Sequence, residues 1–66
     1  MHYYLNDEVR QDGTQVVHAA RCQYVPNEEN RTALGDDASC ETAMRHAKEE
    51  ADEPKACRTC CPDCAG

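Results

Sequence analysis

The stretch that decides the fold is ACRTCCPDCAG, residues Ala56–Gly66, which holds four of the six cysteines in the chain. Cys57 and Cys60 form one Cys-x-x-Cys pair, and Cys61 and Cys64 form a second pair directly after it. Two cysteines at this spacing can direct both sulfurs from one tight turn at a single tetrahedral ion. The sequence therefore indicates what holds the chain together more clearly than it indicates what the chain does.

A matching half-site lies upstream, where His18 and Cys22 are separated by three residues. With Cys57 and Cys60 it completes a set of one imidazole and three thiolates, which is a usual closed set for structural zinc. Soft thiolates and imidazole suit zinc better than Mg²⁺ or Ca²⁺. We therefore predict a Zn²⁺ site whose ligands are His18, Cys22, Cys57 and Cys60.

The size and composition of the chain explain why it needs such a site. The chain has 66 residues, which we take as one small domain over residues 1–66, and it contains no Phe, Trp or Ile, two Leu and four Val. A chain of this size buries only about 60% of the surface that its unfolded form exposes. A structural zinc contributes an apparent ~10–16 kcal/mol in small peptides, and a disulfide typically ~2–4 kcal/mol. Either the chain is disordered or one of these sources supplements the small apolar core.

The pattern of strands and turns predicts an α+β fold. It consists of an N-terminal β-hairpin over about His2–His18, a short third strand over Arg31–Leu34, one α-helix and a C-terminal cysteine-rich zinc knuckle. Asp12-Gly13 is a strong signal for a two-residue hairpin turn, because glycine takes positive φ without steric penalty. Gly35-Asp36-Asp37 predicts a second turn.

The helix is predicted over about Ser39–Asp52, with Ser39 or Asp37 as its cap and Pro54 as the residue that ends it. One face carries small or apolar side chains at helical spacing, at Cys40, Ala43, Met44, Ala47 and Ala51. Because this face is mostly alanine, the helix must pack closely on its partner, which we expect to be the hairpin.

The run VVHAARCQYV … LGDDASCETAMRHAKEE … ACRTCCPDC resembles the metal-binding module of the Ada type, also found in small stand-alone bacterial proteins. The resemblance covers about Val16–Cys64 and implies the same four zinc ligands. In the DNA-repair member of that family, a cysteine at the first ligand position accepts a methyl group. This chain has His18 there, and an imidazole is not the thiolate nucleophile that methyl transfer needs.

The remaining cysteines leave alternatives open. Cys40 is predicted either as a small buried residue or as the partner of Cys64 in a disulfide, and Cys64 is also an alternate metal ligand. Cys61 is predicted to be an exposed free thiol. All six cysteines could instead form three disulfides, or a C-terminal pair could be a redox dithiol. His2 and His46 are predicted to be solvated.

The function that these features predict is that of a non-enzymatic, zinc-stabilised binding or interaction module with an unknown protein partner. The alternatives are a disulfide-stabilised module without metal, and a thiol-redox or enzyme-associated protein using the C-terminal cysteines. The start lacks a signal peptide and no run is long enough to span a membrane, which favours the cytoplasm. A net charge of −6 disfavours nucleic-acid binding. A monomer is expected, and we find no constellation that supports general catalysis.

Overall fold

A computed structural model describes residues 2–36 and 39–65 and confirms the α+β class. In chain order, its elements are β1 (His2–Asn6), β2 (Gln15–Ala19), a 3₁₀ turn (Glu28–Asn30), β3 (Arg31–Asp36), α1 (Cys40–Glu50), β4 (Pro54–Ala56) and the four-residue helix α2 (Pro62–Ala65). No helix in these two ranges is long and apolar enough to cross a membrane.

The four strands form one sheet in the order β3-β1-β2-β4. β1 pairs antiparallel with both β2 and β3, whereas β2 and β4 are parallel. A parallel pair needs a crossover connection, and β3 and α1 lie in the stretch that joins β2 to β4. β4 was not predicted, because three residues are too few to show an alternating pattern. Its first residue, Pro54, is tolerated there since the strand lies at the edge of the sheet.

The predicted hairpin is confirmed, but its predicted two-residue turn is wrong. Leu5 pairs with Val17, whereas a two-residue turn at Asp12-Gly13 would place Leu5 opposite Ala20. The strands are instead joined by residues 7–14. Gly13 still occupies positive φ, at 87°, and its N–H donates to the Arg10 carbonyl at 2.9 Å. The glycine signal therefore located the bend but not the register.

β3 extends two residues beyond its predicted end, so Gly35 and Asp36 belong to the strand and not to a turn. The register shifts at this point, because Tyr4 pairs with Ala33 while Tyr3 pairs with Gly35. Leu34 is the extra residue of this β-bulge, and Gly35 has a φ of 102°, as a bulge glycine often does. Asp37 lies outside the described residues.

α1 falls within the predicted helix, with Ser39 in the N-cap position but without a side-chain cap hydrogen bond. The helix ends at Glu50, since the C-cap Ala51 has extended backbone and donates its N–H to the Ala47 carbonyl at 2.8 Å. Pro54 therefore starts β4 and does not itself end the helix. The predicted face is confirmed: Ala43, Ala47 and Ala51 are buried, and Cys40 and Met44 are half-buried.

The core lies between α1 and one face of the sheet. Leu5 and Val17 are its largest fully buried side chains, and the alanines of α1 complete it from the helix side. Side chains alternate between the faces of a strand, so His18 lies on the face opposite to Val17, where it pairs with Tyr4. His18 is buried on that face, so residues outside the core between α1 and the sheet must cover it.

Candidate metal centre

The structure brings together the four residues that the two half-sites contain. His18, Cys22, Cys57 and Cys60 each offer one ligand atom, and these atoms all lie within 4.8 Å of one another. Three of the four residues are buried and Cys60 is half-buried. The group is therefore close enough to hold a metal ion, although it is drawn from parts of the chain more than 30 residues apart.

The end of β2 positions the first half-site. Ala19 is the last residue of the strand, and its carbonyl accepts a hydrogen bond from the Cys22 N–H at 3.0 Å. This turn bends the chain back so that the Cys22 side chain returns toward His18. The spacing of three residues is thus the spacing that one tight turn after a strand requires.

The parallel pairing of β4 with β2 positions the second half-site. The Cys57 N–H donates to the Val17 carbonyl at 3.0 Å, so Cys57 continues the ladder beside His18. The Cys61 N–H then donates to the Cys57 carbonyl at 2.8 Å and closes the turn that contains Cys60. The crossover through α1 is therefore what carries the two cysteines to the end of β2.

Backbone N–H groups surround the sulfurs. The N–H groups of Thr59 and Cys60 act on the Cys57 thiol and lower its pKa, and the Ala19 N–H donates a hydrogen bond to Cys60 Sγ at 3.3 Å. The last bond joins the two half-sites directly. Such donors stabilise a thiolate, which is the form of cysteine that binds metal.

The spacing of the sulfurs fits a shared ion better than a disulfide. Cys22 Sγ and Cys57 Sγ lie 3.8 Å apart, and both cysteines are free. Two sulfurs bound to one tetrahedral zinc at ~2.3 Å lie about 3.8 Å from each other, whereas disulfide sulfurs lie ~2.05 Å apart. The pair is therefore placed as two neighbouring ligands would be.

The histidine supplies a second test of whether a metal fits. His18 is 5% exposed, and its Nδ1 is buried without a hydrogen-bond partner among the described residues. A buried polar atom without a partner costs free energy, and a bound cation would satisfy it. The residues present therefore fit a metal ion in both donor chemistry and burial.

Ionisation of these groups follows their surroundings. Burial lowers the pKa of His18, so the imidazole stays neutral, as a ligand must be. Burial raises the pKa of Cys60 and of Cys61. Burial also opposes ionisation of Cys57, but the N–H groups of Cys60 and Thr59 outweigh it and the pKa of Cys57 is lowered. Cys57 therefore becomes a thiolate more readily than Cys60 or Cys61.

The three cysteines outside the ligand group have two different roles. Cys40 and Cys64 form a disulfide, which is the second of the two roles predicted for Cys40. The structure holds this disulfide and four free cysteines, not the three disulfides of the alternative prediction. The prediction that Cys61 is exposed is wrong: it is 2% exposed and belongs to the core. No pattern in the sequence around Cys61 predicts that it packs in the core.

The two histidines outside the site are both exposed, as predicted. His46 Nδ1 lies 3.1 Å from the Leu34 carbonyl, so it also contacts β3. Neither His2 nor His46 is part of the metal-ligand group.

An open cleft of about 590 Å³ borders the centre on the sheet face opposite to α1. It is lined by His18 and Cys57 and by three of the seven Lys and Arg residues, Arg10, Lys55 and Arg58, together with Glu8 and other residues. Sequence inspection missed this cleft, because its cations come from three separate segments. Only the unpredicted β4 brings Lys55 beside Val16.

Comparison with known proteins gave no match: no family model, curated protein or solved structure matches this chain. The resemblance to the Ada-type module therefore stays a prediction. That four residues are close enough to hold a metal ion follows from their geometry alone.

Proposed function

We propose that His18, Cys22, Cys57 and Cys60 hold one zinc ion that stabilises the fold, and that the domain is a non-enzymatic binding module. The observation that carries the proposal is the convergence of the four ligand atoms within 4.8 Å, with two sulfurs at 3.8 Å. An imidazole with three thiolates favours zinc over harder cations.

A structural role follows from the number of ligands. Four protein ligands fill the tetrahedron, whereas catalytic zinc sites keep one position for water or substrate. When bound, the ion supplies a cross-link between the end of β2 and the segment after β4. The chain's own residues orient this link through the Val17–Cys57 and Ala19–Cys60 hydrogen bonds.

Native mass spectrometry tests the metal proposal. Protein purified with a phosphine in place of a thiol reductant is expected to carry one zinc per chain. His18→Ala should weaken zinc affinity, whereas His46→Ala, which removes an exposed histidine outside the site, should leave it unchanged. A folded chain without metal, or equal affinity in the two variants, would contradict the proposal.

The cleft beside the centre supports the binding part of the proposal. The chain carries a net charge of −6, yet three cations line this one cleft against a single Glu8. We propose that a monomer of this domain binds an acidic segment of a protein partner there. Duplex DNA has a higher charge density, and the acidic chain repels it more strongly.

Titration calorimetry at low salt with a short Asp/Glu-rich peptide and with a short DNA duplex tests this surface. We expect the peptide to bind, the Arg10→Ala/Lys55→Ala variant to weaken it, and the duplex to bind no tighter than roughly 10⁻⁴ M. Arg45→Ala/Lys48→Ala on α1 is the matched control, since it removes the same charge from outside the cleft. An equal loss of peptide affinity in both double variants would mean that the peptide is attracted to the chain non-specifically and not to the cleft. Tighter binding of the duplex than of the peptide would favour a nucleic-acid partner.

The thiol-redox alternative is tested with an insulin-reduction assay, for which we expect no activity. The physical reason is that neither C-terminal Cys-x-x-Cys pair is a dithiol: Cys57 and Cys60 are assigned to the metal, Cys61 is buried, and Cys64 is bonded to Cys40. Reduction of insulin at a rate above that of free thiol would favour the alternative.

A further inference from the structure

We propose that the Cys40–Cys64 pair is a reversible thiol–disulfide site whose oxidation tightens the metal centre. The inference rests on the proposed metal binding and adds to it a modification site and the chemical class of its reactant, a dithiol. The disulfide lies outside the four ligands, but Cys64 is only four residues beyond Cys60.

The first observation is a continuous chain of hydrogen bonds from the ligands to the disulfide. The Cys61 N–H donates to the Cys57 carbonyl at 2.8 Å, and the N–H groups of Cys64 and Ala65 donate to the Cys61 carbonyl, each at 3.1 Å. Residues 57–65 therefore form one unit that contains two metal ligands near its start and the disulfide near its end.

The second observation is how the far end of this unit is attached. The disulfide joins Cys64 to Cys40, which is the first residue of α1. α2, which carries Cys64, is only four residues long, so it cannot be stable by its own helical hydrogen bonds. Without the covalent link, the end of the unit is held mainly by side-chain packing.

Cys61 makes the two ends respond together. It is 2% exposed and packs in the core, with Cys40, Cys60 and Cys64 against the same cluster. Its Sγ lies 3.9 Å from the Sγ of the ligand Cys60. Movement of the segment that follows Cys61 therefore reaches the Cys60 ligand through one peptide bond and one sulfur contact.

The disulfide is accessible to a reductant. Cys40 is half-buried and lines an open cavity of about 340 Å³, together with Ser39, Glu41 and Pro62 among others. A thiolate of the dithiol attacks Cys40 Sγ, the Cys40–Cys64 bond breaks, and Cys64 leaves as a thiolate that takes up a proton. The second thiol of the dithiol then displaces Cys40, which leaves as a thiol, and the dithiol becomes a disulfide.

The coupling between the two sites is reciprocal. We expect metal affinity to fall about tenfold on reduction, which is within the usual range for coupled sites. By the same linkage, zinc should make the disulfide about tenfold harder to reduce, which corresponds to a shift of ~30 mV in its reduction potential.

Zinc affinity of the oxidised and the phosphine-reduced protein, measured by competition with a chromophoric chelator, tests the proposal. Tighter binding by the oxidised protein is the expected result. Equal or tighter binding by the reduced protein overturns the coupling, and tighter binding would indicate that a freed Cys64 acts as a ligand. No zinc binding in either state would instead overturn the proposed metal function, so the two failures are distinguishable.

Two further measurements keep the test independent of any one variant. Cys40→Ser/Cys64→Ser should bind zinc as weakly as the reduced chain and should not respond to the reductant. If that variant does not fold, glutathione redox buffers applied to the unchanged protein give the potential of the disulfide with and without zinc, read by alkylation and mass. A potential that zinc leaves unchanged contradicts the proposal.

Discussion

Val17 and His18 are neighbours in β2, yet they belong to two regions that are stabilised in different ways. Val17 is fully buried against α1, in what we call the sheet–helix core, where Leu5 and the alanines of α1 also lie. His18, on the other face, belongs to the metal centre, where Nδ1 is buried without a partner and the sulfurs of Cys22 and Cys57 are also buried. The core is formed by packed side chains, whereas the metal centre is a group of ligand atoms close enough to hold an ion.

The magnitudes indicate which region depends on the other. Full burial of a Leu or Val side chain contributes about 1.5–3 kcal/mol, and among residues 2–36 and 39–65 only Leu5 and Val17 are large side chains that are fully buried. A structural zinc contributes an apparent ~10–16 kcal/mol in small peptides. A core of alanines can therefore fix the geometry of the sheet against the helix without being able to keep it folded alone.

Removal of the metal from the reduced protein is expected to have the largest effect. Chelation should unfold the sheet–helix core together with the centre, because the core alone lacks the burial to offset chain entropy. Amide resonances should lose their dispersion in a two-dimensional NMR spectrum and regain it when zinc is added back. Sharp, dispersed resonances of the core after chelation would show that the core is stable by itself, which would break the comparison.

Truncation in the core should have the second largest effect. Leu5→Ala should lower the free energy of unfolding of the metal-loaded protein by about 3 kcal/mol, since it truncates one of the two largest fully buried side chains of the described residues. Denaturant unfolding at saturating zinc measures it. Val9→Ala is the control, because Val9 is 57% exposed, and it should change stability by less than about 0.5 kcal/mol. A loss of less than about 0.5 kcal/mol for Leu5→Ala would mean that the sheet–helix core contributes little to the free energy of unfolding.

The two regions also differ in how much of them the sequence predicts. The core follows periodic patterns, namely alternation at Tyr3 and Leu5 and helical spacing at Ala43, Ala47 and Ala51, and both were recognised. The ligand set follows local spacing on either side of the centre. Each of these patterns is set by the backbone geometry of one strand, helix or turn. It is therefore visible in the sequence without knowledge of which distant segments pair.

The features that the sequence did not predict depend on pairing between distant segments. β4 exists because residues 54–56 pair with β2, and Cys61, which follows β4 along the chain, is buried in a core formed by residues distant in sequence. The hairpin register was mispredicted because Asp12-Gly13 marks a bend whichever residues pair behind it. Gly35 was predicted to lie in a turn because a turn and a β-bulge both place a glycine at positive φ. Only the pairing of β3 with β1 distinguishes the two.

Gly35→Ala separates stability of the core from affinity of the centre. An alanine at a φ of 102° is strained, although no atom lies within 4 Å of the added Cβ, so a loss of about 1–2 kcal/mol is expected from the backbone alone. Zinc affinity of the folded protein should be unchanged, because β3 is at the edge opposite to β4. Thermal unfolding and chelator competition measure the two quantities.

The matched variant for Gly35→Ala is Gly13→Ala. Gly13 also has positive φ, at 87°, and equally open surroundings, but it lies in the loop between β1 and β2. A similar loss in both would confirm backbone strain as the cause. If Gly35→Ala also lowered zinc affinity, the β3 edge of the sheet and the metal centre would be energetically coupled and would not be independent regions.

The smallest expected effect is at Ser39, which precedes the residue through which the disulfide joins α1 to the C-terminal segment. Loss of an N-cap serine usually costs about 1 kcal/mol, but the Ser39 side chain makes no cap hydrogen bond. Ser39→Ala should therefore cost less than about 0.5 kcal/mol, whereas the reference variant Glu41→Gln, in the first turn, should cost ~0.3–1 kcal/mol through the helix dipole. Denaturant unfolding of both variants checks the order. A larger loss for Ser39 would mean that the helix start is capped in solution, and the disulfide would then join two segments that are each fixed without it.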